Sequence, residues 1–243
     1  MHKAYAILAL AVLAAPLSAQ QIPDIAWPVH DTTRPRPPVV APDPVPSDAT
    51  VLFDGLNLDA WRSPKGGAAT WHITDGAMVA VPGAGDIETA ESFGDVQLHV
   101  EWMTPRDVKQ GQNSGNSGVY LMKHYEVQVL NSYQNDTYPD GQAAALYGQY
   151  PPLVNASRAP GEWQSYDIVF RAPRFDSAGT LTSPAIVTVF HNGVLVQDHV
   201  VLTGPTAHQA RPPYEAHPVK LPILLQDHGE AVRYRNIWVR ELQ

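Results

Sequence analysis

Three short stretches of this chain place acid, amide and imidazole groups where they could act together. In Tyr125-Glu126-Val127-Gln128-Val129-Leu130-Asn131, Glu126 and Gln128 fall on one side of a two-residue period, with Val127 and Val129 on the other. In Leu224-Leu225-Gln226-Asp227-His228-Gly229, Gln226 and His228 share a side. In Val96-Gln97-Leu98-His99-Val100-Glu101-Trp102, His99 and Glu101 do. Glu, Gln and Asp are poor strand formers, so their recurrence at alternate positions points to a lined polar surface. Such a surface can hold a polar ligand, and its acid and imidazole groups can carry a proton. An ordinary antiparallel sheet with one wet face gives the same alternation, and alternation alone leaves both readings open.

The aromatic residues divide along the same lines. Trp61, Trp71, Trp102 and Trp238 sit in apolar phase and are assigned to packing. Trp163, Tyr120, Tyr125, Tyr133, Tyr147 and Tyr150 supply rings that could stack on sugar faces while amides and carboxylates bind hydroxyls.

Other chemistries are poorly supported. The chain contains no cysteine, which excludes disulfides, thiolate catalysis and Cys-zinc sites. The histidines show no HExxH or HxH spacing. No Gly-x-Ser-x-Gly elbow is present. The loop Gly111-Gln112-Asn113-Ser114-Gly115-Asn116-Ser117-Gly118 lacks the lysine and the helix of a phosphate-binding loop. It reads as a turn with φ > 0 positions whose polar groups could face a ligand. The formal net charge is −8 with scattered Lys and Arg, so nucleic acid is not expected as a partner.

The elements that must position these groups are strands. Short apolar-alternating runs follow one another from Thr50, bounded by Gly, Pro, Asn and Asp. Strands are expected over residues 71–74, 77–81, 96–102, 118–122, 125–130, 165–171, 185–191, 194–202, 221–226 and 232–242. Asn192-Gly193 between two such runs predicts a type I′ hairpin. No amphipathic helix longer than about three turns and no internal repeat is apparent. The expectation is an all-β sandwich or barrel.

Upstream, Met1-His2-Lys3 precedes an apolar run from Ala4 to Ala15, then Pro16 and small residues to Ala19. This is the layout of a secretory signal peptide over residues 1–19, too short to span a bilayer, and it predicts export to the periplasm or the cell exterior. Residues 20–48 are rich in proline and read as an extended linker. The folded domain is placed at residues 49–243.

The stretch Leu52-Phe53-Asp54-Gly55-Leu56-Asn57-Leu58-Asp59-Ala60-Trp61 resembles the opening of the 3-keto-disaccharide hydrolase domain family. Similar segments follow in the family's order. They are Glu101-Trp102, Asn116-Ser117-Gly118-Val119-Tyr120, Tyr125 to Leu130, Ala145-Leu146-Tyr147-Gly148, Gly161-Glu162-Trp163-Gln164, Phe190-His191-Asn192-Gly193, Leu225-Gln226-Asp227-His228-Gly229 and Tyr234-Arg235-Asn236-Ile237-Trp238-Val239. The resemblance implies a concanavalin A-like jelly roll of two antiparallel sheets, the concave one carrying a carbohydrate site. It also implies cleavage of glycosides oxidised at C3. The chain departs from the family pattern at Asn131, where Asp is common, and at Gln164, where Asn is. The Glu-x-Asp-x-x-Glu pattern of glucanases with this fold is absent, so paired-carboxylate glycosidase chemistry is not supported.

Proton abstraction from C2 of a 3-keto sugar, elimination of the C1 oxygen and hydration of the enone need one base, one acid and stabilisation of an enolate. Glu126 and His228 are the candidates for base and acid, either residue in either role, with Glu101 as an alternative carboxylate. Gln128, Gln226, Asn116, Tyr120, Tyr147 and Asp227 are expected to bind substrate hydroxyls or the developing oxyanion. The sequence names no definite cofactor; a divalent cation could stabilise the enolate, with ligands the sequence does not name. A non-catalytic sugar-binding or surface-interaction module is the alternative. The whole scheme requires Glu101, Glu126, Gln128, Gln226 and His228 to converge in one hollow.

Overall fold

The computed structural model describes residues 27–30, 32–42 and 44–242. The expected signal peptide, residues 1–19, lies outside the described residues, as does the start of the proline-rich segment. The chain divides into two units, residues 1–39 and 40–243. Among the described residues of the first unit there is no strand or helix. Every strand among the described residues lies in the second unit.

Those strands are β1 (Thr50–Phe53), β2 (Trp61–Arg62), β3 (His72–Thr74), β4 (Ala77–Val79), β5 (Ile87–Thr89), β6 (Val96–Met103), β7 (Ser117–Leu121) and β8 (Tyr125–Val129). Then come β9 (Gln164–Arg171), β10 (Arg174–Phe175), β11 (Leu181–Ser183), β12 (Ile186–His191), β13 (Val194–Val201), β14 (Leu224–Leu225) and β15 (Arg233–Glu241). One sheet has eight strands in the order β13-β12-β9-β6-β15-β4-β3, with β1 also on β15. The other has five, β2-β5-β14-β7-β8, and β10-β11 form a separate hairpin. All pairings are antiparallel, and the architecture is a concanavalin A-like jelly-roll sandwich.

Alternation sets the two faces. Val96, Leu98, Val100 and Trp102 of β6 are buried in one core cluster with Val119, Leu121, Val127 and Val129 of the smaller sheet. Each such side chain contributes about 1.5–3 kcal/mol when removed from water. The four tryptophans assigned to packing are all buried. His191 pairs with Val194, and both Asn192 (φ 52°) and Gly193 (φ 79°) are left-handed, as a type I′ turn requires.

Two details bear on the site. β14 is only two residues long, shorter than the alternating run around it. Pro222 has no amide to donate there, and Leu221 bridges Phe93 instead. All five residues of β8 are buried although it ends the five-stranded sheet. Its inner face meets the core, and residues 144–147 and Thr206 bond to its free edge. Gln128 N–H donates to the Ala145 carbonyl (3.0 Å), and Ala144 N–H donates to the Gln128 carbonyl (2.9 Å). A covered edge of this kind leaves no free ladder for another chain.

Candidate active site

On the face of the smaller sheet turned away from the core, a polar hollow of about 140 Å³ is lined by Asn116, Tyr120, Glu126, Gln128 and Tyr147, and by Ala207, His208, Gln226 and His228. Strand register builds its floor. Tyr120 is paired with Glu126 and with Leu224, and Gly118 with Gln128, so these residues share one face. Gln226 N–H donates to the Gly118 carbonyl (3.1 Å), which extends the same surface beyond β14.

Glu126 is the centre of this arrangement. Its side chain is almost fully buried, at 4% exposure. Burial pushes its pKa up to about 8, although a hydrogen bond from Tyr120 opposes the shift. The Tyr120 hydroxyl donates to Glu126 Oε2 (2.8 Å), and Gln226 Nε2 donates to the Tyr120 oxygen (3.2 Å). With Oε2 so occupied, the carboxyl proton belongs on Oε1. Burial, then the Glu126 charge, drives Tyr120 far above the ordinary phenol range, so it stays a neutral donor.

Main-chain groups of Glu126 also anchor both walls. Its N–H donates to Thr206 Oγ1 (3.0 Å), and its carbonyl accepts from Tyr147 N–H (3.3 Å). The Tyr147 hydroxyl lies 2.8 Å from the Tyr138 hydroxyl and 3.0 Å from Nδ1 of His208.

Two amide oxygens in the hollow have no partner. Gln128 Nε2 donates to Gln112 Oε1 (3.3 Å) and to the Gly141 carbonyl (3.4 Å), leaving its Oε1 unpaired. Gln226 Oε1 is likewise buried without a partner. Unpaired buried acceptors cost roughly 1–3 kcal/mol each, and a ligand rich in hydroxyl donors would satisfy them.

The structure brings Glu126, His228, Gln128, Gln226, Asn116, Tyr120 and Tyr147 together in this hollow. It does not bring Glu101 there. Glu101 lies on β6, in the other sheet, on the face opposite Val100 and Trp102 and so away from the core. It accepts from Arg235 Nε (2.6 Å) and Asn236 Nδ2 (2.9 Å). Partial burial raises its pKa, but these hydrogen bonds and the guanidinium charge outweigh it, and the net shift is downward. Glu101 is a structural anion, and its expected place among the catalytic groups is corrected. Arg235 in turn covers the Trp163 ring at 4.0 Å, which closes that face of the ring to a sugar.

Asp227 is also displaced from its expected role. Its side chain accepts from Gly85 N–H (2.9 Å) and Gly229 N–H (2.9 Å), and it does not line the hollow. It shapes the loop that carries His228. Asn131, one of the departures from the family pattern, is buried and donates to Ser114 Oγ (3.0 Å), so it braces the Gly111–Gly118 loop. Gln164 is buried too, with its Oε1 accepting from Arg158 N–H (3.0 Å) and lying 2.8 Å from His191 Nε2.

Sequence reasoning missed His208, Gln112 and Asp86. His208 stands in a loop with no periodicity to place it. Gln112 sits in a 3₁₀ turn (Gly111–Asn113) and reaches the floor through Gln128. Asp86 accepts from Asp227 N–H (2.9 Å), and burial, with the nearby Asp227 charge, raises its pKa. Among the described residues no group of three or more His, Asp or Glu side chains is arranged to hold a metal ion. A ligand set for a divalent cation is therefore not defined in the hollow.

Fold and site together define the class: a jelly-roll sandwich with a polar, proton-bearing hollow on the outward face of its smaller sheet. The chain belongs to the family of the 3-keto-alpha-glucoside-1,2-lyase-like domain, whose model matches residues 48–240. A crystal structure of a candidate glycosyl hydrolase from Parabacteroides distasonis is similar, with 44% identity and a TM-score of 0.85, covering 88% of this chain and 95% of that one. A second structure from the same organism shares the fold, with 21% identity and a TM-score of 0.59, over 81% of this chain and 94% of the other. A 3-keto-disaccharide hydrolase from Bacteroides thetaiotaomicron is 25% identical over 166 residues, 52% of this chain and 54% of that protein. The match thus spans about half the length of that curated relative. No helix among the described residues is long and apolar enough to cross a membrane.

Proposed function

We propose that this protein cleaves the glycosidic bond of 3-keto-glycosides by elimination and hydration. The observation that carries the reading is the Glu126 carboxyl, held neutral by burial and oriented by Tyr120 at the floor of a hollow with two unpaired amide acceptors. A carboxylic acid kept neutral by burial is a hydrogen-bond donor to a developing enolate. The family membership and the named relatives support the same substrate class.

The roles follow from the protonation states. At pH 7 a carboxyl with a pKa of about 8 carries its proton, so Glu126 is the donor and not the base. His228, exposed at the rim and lining the hollow, is the base. It takes the C2 hydrogen as a proton. The C–H electron pair forms the C2–C3 double bond of an enolate whose charge rests on the C3 oxygen, facing Glu126. The enolate re-forms the ketone, its pair moves to C1–C2, and the C1–O bond breaks with its electrons on the departing oxygen. Water then adds to C1 of the enone, and C2 recovers a proton. Asn116, Gln128 and Gln226 bind the ring hydroxyls.

The test is release of the aglycone from a 3-keto-glucoside by the parent protein and by Glu126→Gln and His228→Ala. Each substitution should lower kcat by about 10²–10⁴-fold, the usual range for a positioned proton-transfer or oxyanion group. Near-parental rates in both folded variants reject the assignment.

A further inference from the structure

A second, larger space adjoins the hollow. About 570 Å³ in volume, it is lined by Tyr138, Asp140, Tyr147, His208, Ala210 and Arg211, among others. Tyr147 and His208 are the two residues that line both spaces. The inner hollow, at about 140 Å³, is well below the roughly 300–1,000 Å³ of sites that envelop whole drug-sized ligands. It suits one ring, and the outer space suits a larger group.

Granted the functional reading above, the bond to be broken joins the ring in the inner hollow to whatever occupies the outer space. The scissile oxygen must therefore sit at the junction, where Tyr147 and His208 stand. An alkoxide leaving from C1 needs a proton, and neither Glu126, at the floor, nor His228, occupied with the C2 proton, is free to give it.

We infer that the outer space is the leaving-group site and that Tyr147, backed by His208, is the acid that protonates the departing oxygen. The Tyr147 hydroxyl lies 3.0 Å from Nδ1 of His208 and 2.8 Å from the Tyr138 hydroxyl. The Tyr147 main chain is held by its N–H bond to the Glu126 carbonyl, and Thr206, two residues before His208, accepts from the Glu126 N–H. The chain segments that carry Tyr147 and His208 are thus both bonded to the main chain of the residue at the floor.

The step balances in protons and electrons. As the C1–O bond breaks, its electron pair stays on the departing oxygen, which takes the Tyr147 proton. The Tyr147 phenolate so formed is held by its hydrogen bonds to His208 Nδ1 and the Tyr138 hydroxyl. In the hydration half-reaction the transfers reverse. Water gives a proton to the His208–Tyr147 pair as its oxygen bonds to C1, and C2 takes back the proton held by the base.

The outer space also indicates the kind of leaving group. The rings of Tyr147 and His208 are nearly parallel (20°, centroids 6.4 Å apart), and Tyr138 stands beside them at 61°. Rings of this kind select a leaving group with a flat apolar face, which a second pyranose or an aromatic aglycone both provide.

Tyr147→Phe and His208→Ala would be assayed on two substrates, a 3-keto disaccharide with a sugar alcohol leaving group and a p-nitrophenyl 3-keto-glucoside. Nitrophenolate departs without a proton. Both variants should lose at least 30-fold in kcat on the disaccharide and at least tenfold less than that on the nitrophenyl substrate. Equal losses on the two substrates, or no loss on the disaccharide, overturn the assignment while the functional reading stands. A parent protein that cleaves neither substrate overturns both. Methyl 3-keto-glucoside provides the third arm. A disaccharide and a nitrophenyl substrate with KM values no lower than its own would overturn the leaving-group site.

Discussion

Oxygen Oε1 of Glu126 occupies the space that a side chain on Gly118 would need: a Cβ there would stand 2.5 Å from it and 2.8 Å from Cε2 of Tyr120. Gly118 is not left-handed, so it is space and not backbone conformation that calls for glycine. Gly118→Ala should displace the carboxyl from Tyr120 and cost about 1–3 kcal/mol, as overpacking does elsewhere. The rate on a 3-keto-glucoside should fall at least tenfold, read together with urea unfolding. A variant of parental rate and stability would show that the carboxyl has room to spare.

The raised pKa of Glu126 makes stability depend on pH in a defined direction. The carboxyl titrates near 4.5 when unconstrained and near 8 in the fold. Its favourable contribution is complete below pH 4.5, declines above that, and is lost as pH rises through 8. Glu126→Gln abolishes that loss. The variant should be more stable than the parent at pH 9, by roughly 3–5 kcal/mol in the limit of no relaxation, with little or no such gain at pH 4. Thermal melts at the two pH values decide it.

Activity should follow the same proton. If Glu126 acts as a donor, kcat falls as pH rises through about 8. The Tyr120 hydrogen bond lowers that pKa. Tyr120→Phe should therefore move the alkaline limb to higher pH, while the maximum rate drops because the carboxyl loses its orienting donor. A limb that stays in place would separate it from Glu126.

Glu101 gives the control. Its partners are Arg235 and Asn236 on the neighbouring strand β15 of its own sheet. Glu101→Gln should cost about 1 kcal/mol of stability and leave kcat/KM within about twofold. A tenfold loss of kcat/KM at full folding would return Glu101 to the mechanism.

Ser117 ties the core to the hollow. Its hydroxyl donates to the Gln226 carbonyl (2.6 Å) and lies 2.6 Å from the Tyr234 hydroxyl, all buried or nearly so. Ser117→Ala should cost about 1–3 kcal/mol by leaving a buried polar group unpaired. Weaker substrate binding through a shifted Gln226 should accompany it, seen as a higher KM.

Alternation was enough to separate faces. Val127 and Val129 inward and Glu126 and Gln128 outward follow from the pleat alone, because successive side chains must point to opposite sides. The same rule put Glu101 opposite Trp102, also correctly. It could not say that the outward face of β6 belongs to the other sheet, because a strand's period carries no information about which sheet it joins. Hence Glu101 and Glu126 looked equivalent in sequence and are not.

The residues of the chain by themselves determined an all-β domain, its hairpin at Asn192-Gly193, its buried tryptophans and the acid–amide–imidazole set from which a site could be made. Those follow from local rules: steric limits on backbone angles, the two-residue period, and the preference of apolar surface for the interior. Only the tertiary structure decided that His208 joins Tyr147, that Asp227 shapes a loop, and that the Glu126 carboxyl is neutral. Each depends on segments far apart in sequence being packed together, and a pKa is set by the depth of that packing.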